Sequence, residues 1–112
     1  MMNDTMIVSI LLELRRGILI LAVLSQLEHE EYGYSLLTRL DEAGLVIDQG
    51  TLYPLMRRLE SQGLLESSWR IEEARPRRYY QLSPQGHLAL AQLRQEWQRL
   101  GEVMEGLLGK EQ

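Results

Sequence analysis

The chain has 112 residues, 45% of them hydrophobic and 25% charged, a composition typical of a single folded domain. It contains no cysteine, which excludes disulfides, thiolate metal ligands and cysteine nucleophiles. The formal net charge is −4, but residues 1–47 carry −4, residues 48–82 carry +1 and residues 83–112 carry −1. The middle of the chain is therefore its only basic region, and nucleic-acid-binding surfaces are usually basic.

The first predicted element is a helix from about Asp4 to Glu28, because its apolar residues mostly recur with helical spacing. Gly17 is expected to mark a bend or break, since glycine costs about 1 kcal/mol inside a helix. The most apolar run, Ile18–Leu24, is far shorter than the roughly 20 residues that a membrane span needs. No small-residue cleavage site follows this run. The sequence therefore predicts a buried helix, no membrane partner and a cytoplasmic protein.

Two shorter helices are predicted next. The first covers Tyr32 to about Ala43, with Gly44 at its C-terminal end. The second covers Asp48 to Gln62 and is closed by Gly63. Helical spacing places four of its apolar residues on one buried stripe. These are Leu52, Leu55, Met56 and Leu59.

Pro54 constrains the start of the second of these helices. If Thr51 is the N-cap, Pro54 is the third helical residue, where no hydrogen-bond donor is lost. If Asp48 is the N-cap, Pro54 denies the Gly50 carbonyl its helical partner. The sequence favours an irregular first turn.

Residues 65–82 are predicted to form a β-hairpin. Apolar and polar residues alternate along the first strand, from Leu65 to Ile71, and residues 72–76 form the loop. The return strand covers residues 77–82, where tyrosines favour a strand. Tyr80 is in phase with Leu82 and is predicted to point inward.

The last predicted element is a long helix that opens with Ser83 as N-cap and Pro84 as its first residue, and runs to about Leu108. Seven positions spaced four and three apart give it three heptads of a coiled-coil seam. They are Gly86, Leu90, Leu93, Trp97, Leu100, Met104 and Leu107. The preceding elements are too small to cover a helix of roughly 36 Å, so a second copy of the chain is the simplest partner.

Three helices followed by a hairpin are the order of a winged helix-turn-helix. The predicted fold is therefore mostly α, of the α+β class, with a long C-terminal dimerisation helix. Residues 1–82 form the predicted DNA-binding domain, including the N-terminal helix, and residues 83–112 form the dimerisation helix. The helix at 48–62 would be the recognition helix and the hairpin would be the wing.

Several motifs resemble the signature of the PadR family of transcriptional regulators. They are Tyr32-Gly33-Tyr34, Gly50–Leu55, Arg57-Arg58-Leu59, Gly63-Leu64-Leu65, Arg75–Tyr80 and Leu82–Gly86. The resemblance runs in consistent order from about Gly17 to Gly86. It implies a dimeric winged-helix protein, most often a repressor, of the short subgroup with one C-terminal helix. It also implies that the N-terminal and C-terminal helices of two subunits pack together.

Nine residues are candidates for DNA contact, because they lie off the buried stripe of the recognition helix or in the basic wing. They are Gln49, Thr51, Tyr53, Pro54, Arg57, Arg58, Arg75, Arg77 and Arg78. Alternatives stay open for some of them. Tyr53 could belong to the core, Thr51 could serve only as a cap, and Arg57 and Arg58 could form a solvated face. One wing arginine is expected to pair with Glu72 or Glu73 in the free protein.

The dimer interface is predicted from the seam of the last helix and the apolar face of the first. Its residues are Ile7, Ile10, Leu11, Leu14, Leu93, Trp97, Leu100, Met104 and Leu107. Two Trp97 indoles facing each other across a two-fold axis could hold a planar aromatic effector by stacking. The resemblance implies an aromatic-lined cavity of this kind between subunits. The alternative is that Trp97 only fills a wide layer of the seam.

These residues predict a homodimer that binds double-stranded DNA at a pseudo-palindromic operator. The resemblance implies that it represses transcription, and a small-molecule effector held between the Trp97 rings would release it. The alternative is a dimeric ligand- or protein-binding module without specific DNA recognition. Four arginines among residues 70–78 argue against that alternative. The sequence shows no catalytic constellation, metal-ligand spacing or phosphate-binding glycine loop, so neither an enzyme nor a cofactor is predicted.

Overall fold

The computed structural model describes residues 4–109, which form four helices and three strands. The elements are α1 (Asp4–Ser25), β1 (Glu31–Tyr32), α2 (Gly33–Glu42), α3 (Gln49–Ser61), β2 (Leu65–Glu72), β3 (Arg75–Leu82) and α4 (Pro84–Leu108). This order confirms the predicted winged helix-turn-helix and the long C-terminal helix. Residues 1–3 of the first predicted domain and residues 110–112 of the second lie outside the described residues.

Helix α1 is continuous through Gly17, so the predicted break does not occur there. It ends at Ser25, three residues earlier than predicted. Val23 and Leu24 are its buried residues, whereas its N-terminal half is exposed. The backbone N–H of Leu82 donates to the Leu27 carbonyl, 2.8 Å away, and ties the segment after α1 to the end of β3.

The wing is part of a three-stranded sheet, whereas the sequence predicted only a hairpin. Strands β2 and β3 pair antiparallel, and β1 adds to the other edge of β3, giving the order β1-β3-β2. Glu31 pairs with Tyr80, and Tyr32 pairs with Tyr79. A strand of two residues is too short to show any alternation, so the pattern could not reveal β1. Helix α2 consequently begins at Gly33 and not at Tyr32.

The turn of the wing is tighter than the predicted loop of residues 72–76. Only Glu73 and Ala74 lie between the strands, with positive φ angles of 52° and 62°. Two such residues form a type I′ turn, which matches the twist of a hairpin. Pro76 lies within β3, beyond the segment that pairs with β1, where an open sheet edge tolerates proline.

Helix α3 begins with an Asp48 cap, so the second of the two alternatives is the observed one. The Asp48 side chain accepts a hydrogen bond of 2.8 Å from the backbone N–H of Thr51. The helix is regular from Gln49, and the predicted irregular first turn is wrong. Pro54 is therefore inside the helix, and the Gly50 carbonyl lacks its helical donor but lies at an exposed residue.

Gly44 and Gly63 end α2 and α3 as predicted, with φ angles of 105° and 86° that favour glycine. The core lies between α1, α2, α3 and the sheet, and Tyr80 points into it with 7% of its surface exposed, as predicted. The buried hydrophobic residues are Val23, Leu24, Leu27, Leu36, Leu40, Leu52, Met56, Leu59, Leu65, Tyr80, Leu82 and Leu90.

Helix α4 joins this core through its first turn. Ser83 caps the helix by accepting from the Gly86 N–H at 3.0 Å, and its hydroxyl donates to the Gly63 carbonyl at 2.6 Å. Gly86 itself is buried so closely against the backbone that a Cβ there would lie 2.1 Å from the Leu64 carbonyl oxygen. The two elements can therefore meet only if residue 86 is glycine.

Candidate nucleic-acid interface

The exposed face of α3 carries all six candidate residues of the predicted recognition helix. Leu52, Met56 and Leu59 are buried, so the opposite side of the helix faces solvent. Five candidates there are exposed, and Tyr53 is half-buried. They are Gln49, Thr51, Tyr53, Pro54, Arg57 and Arg58.

These six residues do not form one cluster. Tyr53 and Arg57 line a cleft between α3 and the wing, with a volume of about 260 Å³. Thr51, Pro54 and Arg58 line a second surface cleft toward α1. Helix α3 thus presents an edge to the wing, an edge to α1, and an open face between them.

The cleft between α3 and the wing is aromatic and cationic. Its lining combines tyrosines from β1, α2, α3 and β3 with arginines from α3 and β3. The members are Tyr32, Gly33, Tyr34, Tyr53, Arg57, Trp69, Pro76, Arg77, Arg78 and Tyr80. Phenol and guanidinium groups are hydrogen-bond donors that suit phosphate oxygens.

Burial raises the pKa of the Tyr53 phenol, and the neighbouring phenols of Tyr32, Tyr34 and Tyr80 raise it further. Burial also raises the pKa of Tyr80. A tyrosine phenol is protonated at neutral pH, and the raised pKa extends this to more alkaline pH, so Tyr53 has a hydroxyl that can donate to an anion.

The three predicted wing arginines differ in their partners. Arg75 is exposed and has no ion pair within residues 4–109. Arg77 pairs with Glu72 at 3.7 Å and Glu73 at 3.4 Å, which confirms the predicted pairing within the wing. Its guanidinium also lies 5.0 Å from the centre of the Tyr32 ring.

Arg78 pairs outside the wing. Its Nη2 atom donates to Glu60 of α3 at 2.9 Å, and its Nε atom donates to Ser67 of β2 at 3.1 Å. The Ser67 hydroxyl in turn donates to the second Glu60 oxygen at 2.7 Å. Three side chains from three elements therefore form a closed hydrogen-bonded ring.

The predicted dimerisation residues lie at the other end of the molecule, on the N-terminal half of α1 and the C-terminal part of α4. Gly86 and Leu90, the first seam positions, are buried in their own domain, and Leu93 is half-buried. The seam is exposed beyond them, between 42% at Leu100 and 74% at Leu107. The α1 positions Ile7, Ile10, Leu11 and Leu14 are exposed as well.

An apolar groove of about 380 Å³ runs between α1 and α4 at the level of Trp97. Leu93, Trp97 and Leu100 form its α4 wall. Leu14 and Ile18 are part of its α1 wall, and Gly17 lies between them. The missing side chain at Gly17 leaves room in this wall.

Residues 4–109 contain no group of three histidine or acidic residues arranged to hold a metal ion. No helix in the same range is long and apolar enough to cross a membrane.

Comparison with known proteins fits this geometry. The model of the Transcriptional regulator PadR-like family matches residues 20–92, which include α2, α3 and the whole wing. The chain belongs to this family. PadR-like proteins are DNA-binding transcriptional regulators and not enzymes.

Individual PadR relatives resemble the chain over most of its length. The crystal structure of a PadR family transcriptional regulator from Eggerthella lenta shares 44% identity, covers 96% of both chains and has a TM-score of 0.87. A PadR family transcription regulator from Clostridium difficile shares 30% identity over 80% of this chain and 96% of its own, with a TM-score of 0.73. Transcriptional regulator Rv3488 of Mycobacterium tuberculosis is 39% identical over 70% of this chain and 75% of its own.

Sequence reasoning identified Tyr53, Arg57 and the arginines of β3, but it assigned no role to Tyr34 of the cleft. It also assigned no role to Glu60 and Ser67 as partners of Arg78. The alternation of β2 could have indicated Ser67, because it places Ser67 on the same face as Leu65. Nothing in the local pattern signals the pairing of Glu60 with Arg78.

Proposed function

We propose that this PadR-family protein is a homodimer that binds a pseudo-palindromic operator and represses transcription. The observation that carries the proposal is the continuous surface made by the open face of α3, the aromatic and cationic cleft, and the basic wing. In a winged helix-turn-helix dimer, two recognition helices enter successive major grooves about 34 Å apart. The operator would then repeat one half-site about the dimer axis.

The contacts on DNA divide into two kinds. Gln49, Tyr53 and Arg57 would face base edges and nearby phosphates in the major groove. Thr51, Pro54 and Arg58 would follow the groove toward α1. In the wing, Arg75 and Arg77 would contact flanking phosphates, and Arg77 would exchange its carboxylate partners for a phosphate.

The dimer would form through α1 and α4. Their apolar seam residues are exposed in the single chain. Contiguous exposed apolar residues often mark interaction surfaces. The seam recurs every three or four residues along α4, a pattern suited to an antiparallel or parallel copy of the same helices.

A planar aromatic effector would bind in the groove beside Trp97. The groove volume of about 380 Å³ in one chain lies within the range of small-molecule sites, and a second chain would close its open side. A ligand stacked on the indole would release DNA only if it binds more tightly to a dimer in which the distance between the two recognition helices does not match successive major grooves.

Fluorescence in a Trp69→Phe background isolates the Trp97 indole. A planar phenolic compound without affinity for duplex DNA, such as 2-naphthol, should quench its emission saturably and release bound DNA. Trp97→Ala should abolish the release. Release that survives Trp97→Ala would place the effector elsewhere.

The DNA-binding proposal is tested by a gel shift with the DNA upstream of the protein's own gene and a random duplex of equal length. Tyr53→Ala and Arg57→Ala should each lower the preference for the upstream duplex by about 1–3 kcal/mol if they read a base. Arg94→Ala removes an exposed arginine of α4 and is the matched control. Equal binding of the wild-type protein to both duplexes would favour the alternative of a module without specific recognition.

A further inference from the structure

We infer that Glu60, Ser67 and Arg78 position the wing relative to the recognition helix, and that Arg78 acts on DNA recognition through Glu60 and not as a phosphate contact. The inference rests on the proposed DNA binding and assigns Arg78 a different role from Arg75 and Arg77. The set of three is called the wing anchor below.

The geometry of the wing anchor is closed. Each of the two Glu60 oxygens accepts one hydrogen bond, from Arg78 at 2.9 Å and from Ser67 at 2.7 Å. Arg78 also donates to the Ser67 oxygen at 3.1 Å, so each member contacts both of the others. Such a network fixes three side chains in one geometry, unlike a single exposed ion pair.

Aromatic rings hold the guanidinium from its sides. The Cζ atom of Arg78 lies 5.5 Å from the centre of the Trp69 ring and 5.4 Å from that of Tyr80. Tyr80 is a core residue, so these contacts connect the anchor to the folded body of the domain. Arg78 is thereby oriented by α3, β2 and the core together.

The anchor joins two surfaces that must contact DNA at the same time. Glu60 lies on α3, three residues beyond Arg57. Ser67 pairs with Tyr80 and Arg78 pairs with Trp69, so Ser67 and Arg78 are diagonal neighbours on one face of β2 and β3. The pairs of Arg77 with Glu72 and Glu73 remain within the wing and cannot fix its angle to α3. Arg70 of β2 pairs with Glu30 before β1 and not with α3, so within residues 4–109 Arg78 is the wing arginine whose ion pair reaches the recognition helix.

Removal of Glu60 separates this role from a direct phosphate contact. If Arg78 bound phosphate, Glu60 would compete with DNA, and Glu60→Gln would tighten binding by freeing a cation and removing a negative charge. If Arg78 positions the wing, Glu60→Gln weakens specific binding although the protein becomes less negative. The two roles therefore predict effects of opposite sign.

The test measures dissociation constants for the upstream duplex and a random duplex over a salt series. Glu60→Gln and Ser67→Ala should each lower the preference for the upstream duplex about 5-fold, and Arg78→Ala combined with Glu60→Gln should add little more. Arg78→Ala and Glu60→Gln should change the slope of log affinity against log salt by the same amount, because both release the wing, whereas Arg75→Ala should reduce it by about 0.9. Glu66→Gln, on the same strand as Ser67, is the matched control.

Tighter binding by Glu60→Gln, or a slope reduced by about 0.9 in Arg78→Ala but not in Glu60→Gln, would overturn the inference while leaving DNA binding intact. A wild-type protein that does not prefer the upstream duplex would instead overturn the proposed function.

Time-resolved anisotropy of Trp69 in a Trp97→Phe background tests the wing anchor without DNA. Glu60→Gln should increase the mobility of Trp69, and unchanged mobility would show that the anchor does not hold the wing.

Discussion

The two ends of this molecule differ in whether their side chains find partners within one chain. At the wing and α3, charged side chains find partners within the chain, as Arg78 does with Glu60 and Arg77 with Glu72. At the N-terminal half of α1 and the C-terminal part of α4, apolar side chains such as Leu14 and Leu107 remain exposed. The first region is complete as a folded unit, whereas the second has the character of half an interface.

The difference shows why a protein of net charge −4 can belong to a DNA-binding family. The acidic residues at the wing pair with some of its arginines and orient them. Other cations on this surface, such as Arg57 and Arg75, have no ion pair within the described chain. The net charge of residues 1–47 is −4, whereas residues 48–82 carry +1. Basic residues need to be concentrated only where the phosphates lie.

The largest effect is expected where the apolar end is broken. Leu100→Glu should place an unpaired charge in the proposed seam, dissociate the dimer and lower operator affinity by about 100-fold or more, because the second half-site is lost. Gln98→Glu adds the same charge on the outward side of α4 and should have little effect. A dimer that survives Leu100→Glu in a sedimentation experiment would contradict the seam.

The second largest effect is expected where α4 packs against the wing and α3. Gly86→Ala should destabilise the protein by about 3 kcal/mol, because the new methyl group meets the Leu64 carbonyl oxygen, which is backbone and cannot rotate away. Gly106→Ala, at an open position of the same helix, should be neutral or stabilising by up to about 1 kcal/mol. Equal melting temperatures for the two variants would disprove the close packing.

A smaller effect separates the unpaired from the paired wing arginines. Arg75→Ala should reduce the slope of log affinity against log salt by about 0.9 and weaken binding to all sequences alike, since a phosphate contact carries no sequence information. Arg94→Ala on α4 is the control for loss of an exposed positive charge. A slope that stays the same in Arg75→Ala would remove the wing from the DNA interface.

The smallest effect concerns the turn of the wing. Ala74 has a φ of 62°, which disfavours residues with a Cβ, so Ala74→Gly should stabilise the protein by about 0.5–1 kcal/mol. Ala91→Gly in the middle of α4 should instead destabilise it by about 1 kcal/mol. Chemical denaturation of both variants measures the difference, and a destabilised Ala74→Gly would show that the turn is not strained.

The sequence predicted those features that depend on local chemistry. Ser83 and Pro84 identified the start of α4, and Tyr80 was placed inward because alternation along β3 puts it on the same face as Leu82. The family signature then identified the winged helix-turn-helix.

Features that depend on contacts between distant segments were missed. Strand β1 exists only because Glu31 and Tyr32 pair with β3, almost 50 residues away. Glu60 and Arg78 are 18 residues apart and meet only once the hairpin folds onto the end of α3. Residues 72–76 were predicted to form a loop, yet Arg75 and Pro76 lie in β3. The proline fits because β1 ends before it reaches Pro76 and leaves an open sheet edge, which the sequence does not reveal.

Sedimentation of the wild-type protein, alone and with the duplex upstream of its gene, tests the central claim most directly. We expect a species of twice 13.0 kDa at micromolar concentration, and two chains bound to each operator in the presence of excess random DNA. This result would show that the exposed apolar end is completed by a second copy while the charged end binds DNA. A 13.0 kDa monomer that binds the operator as a single chain would contradict the account.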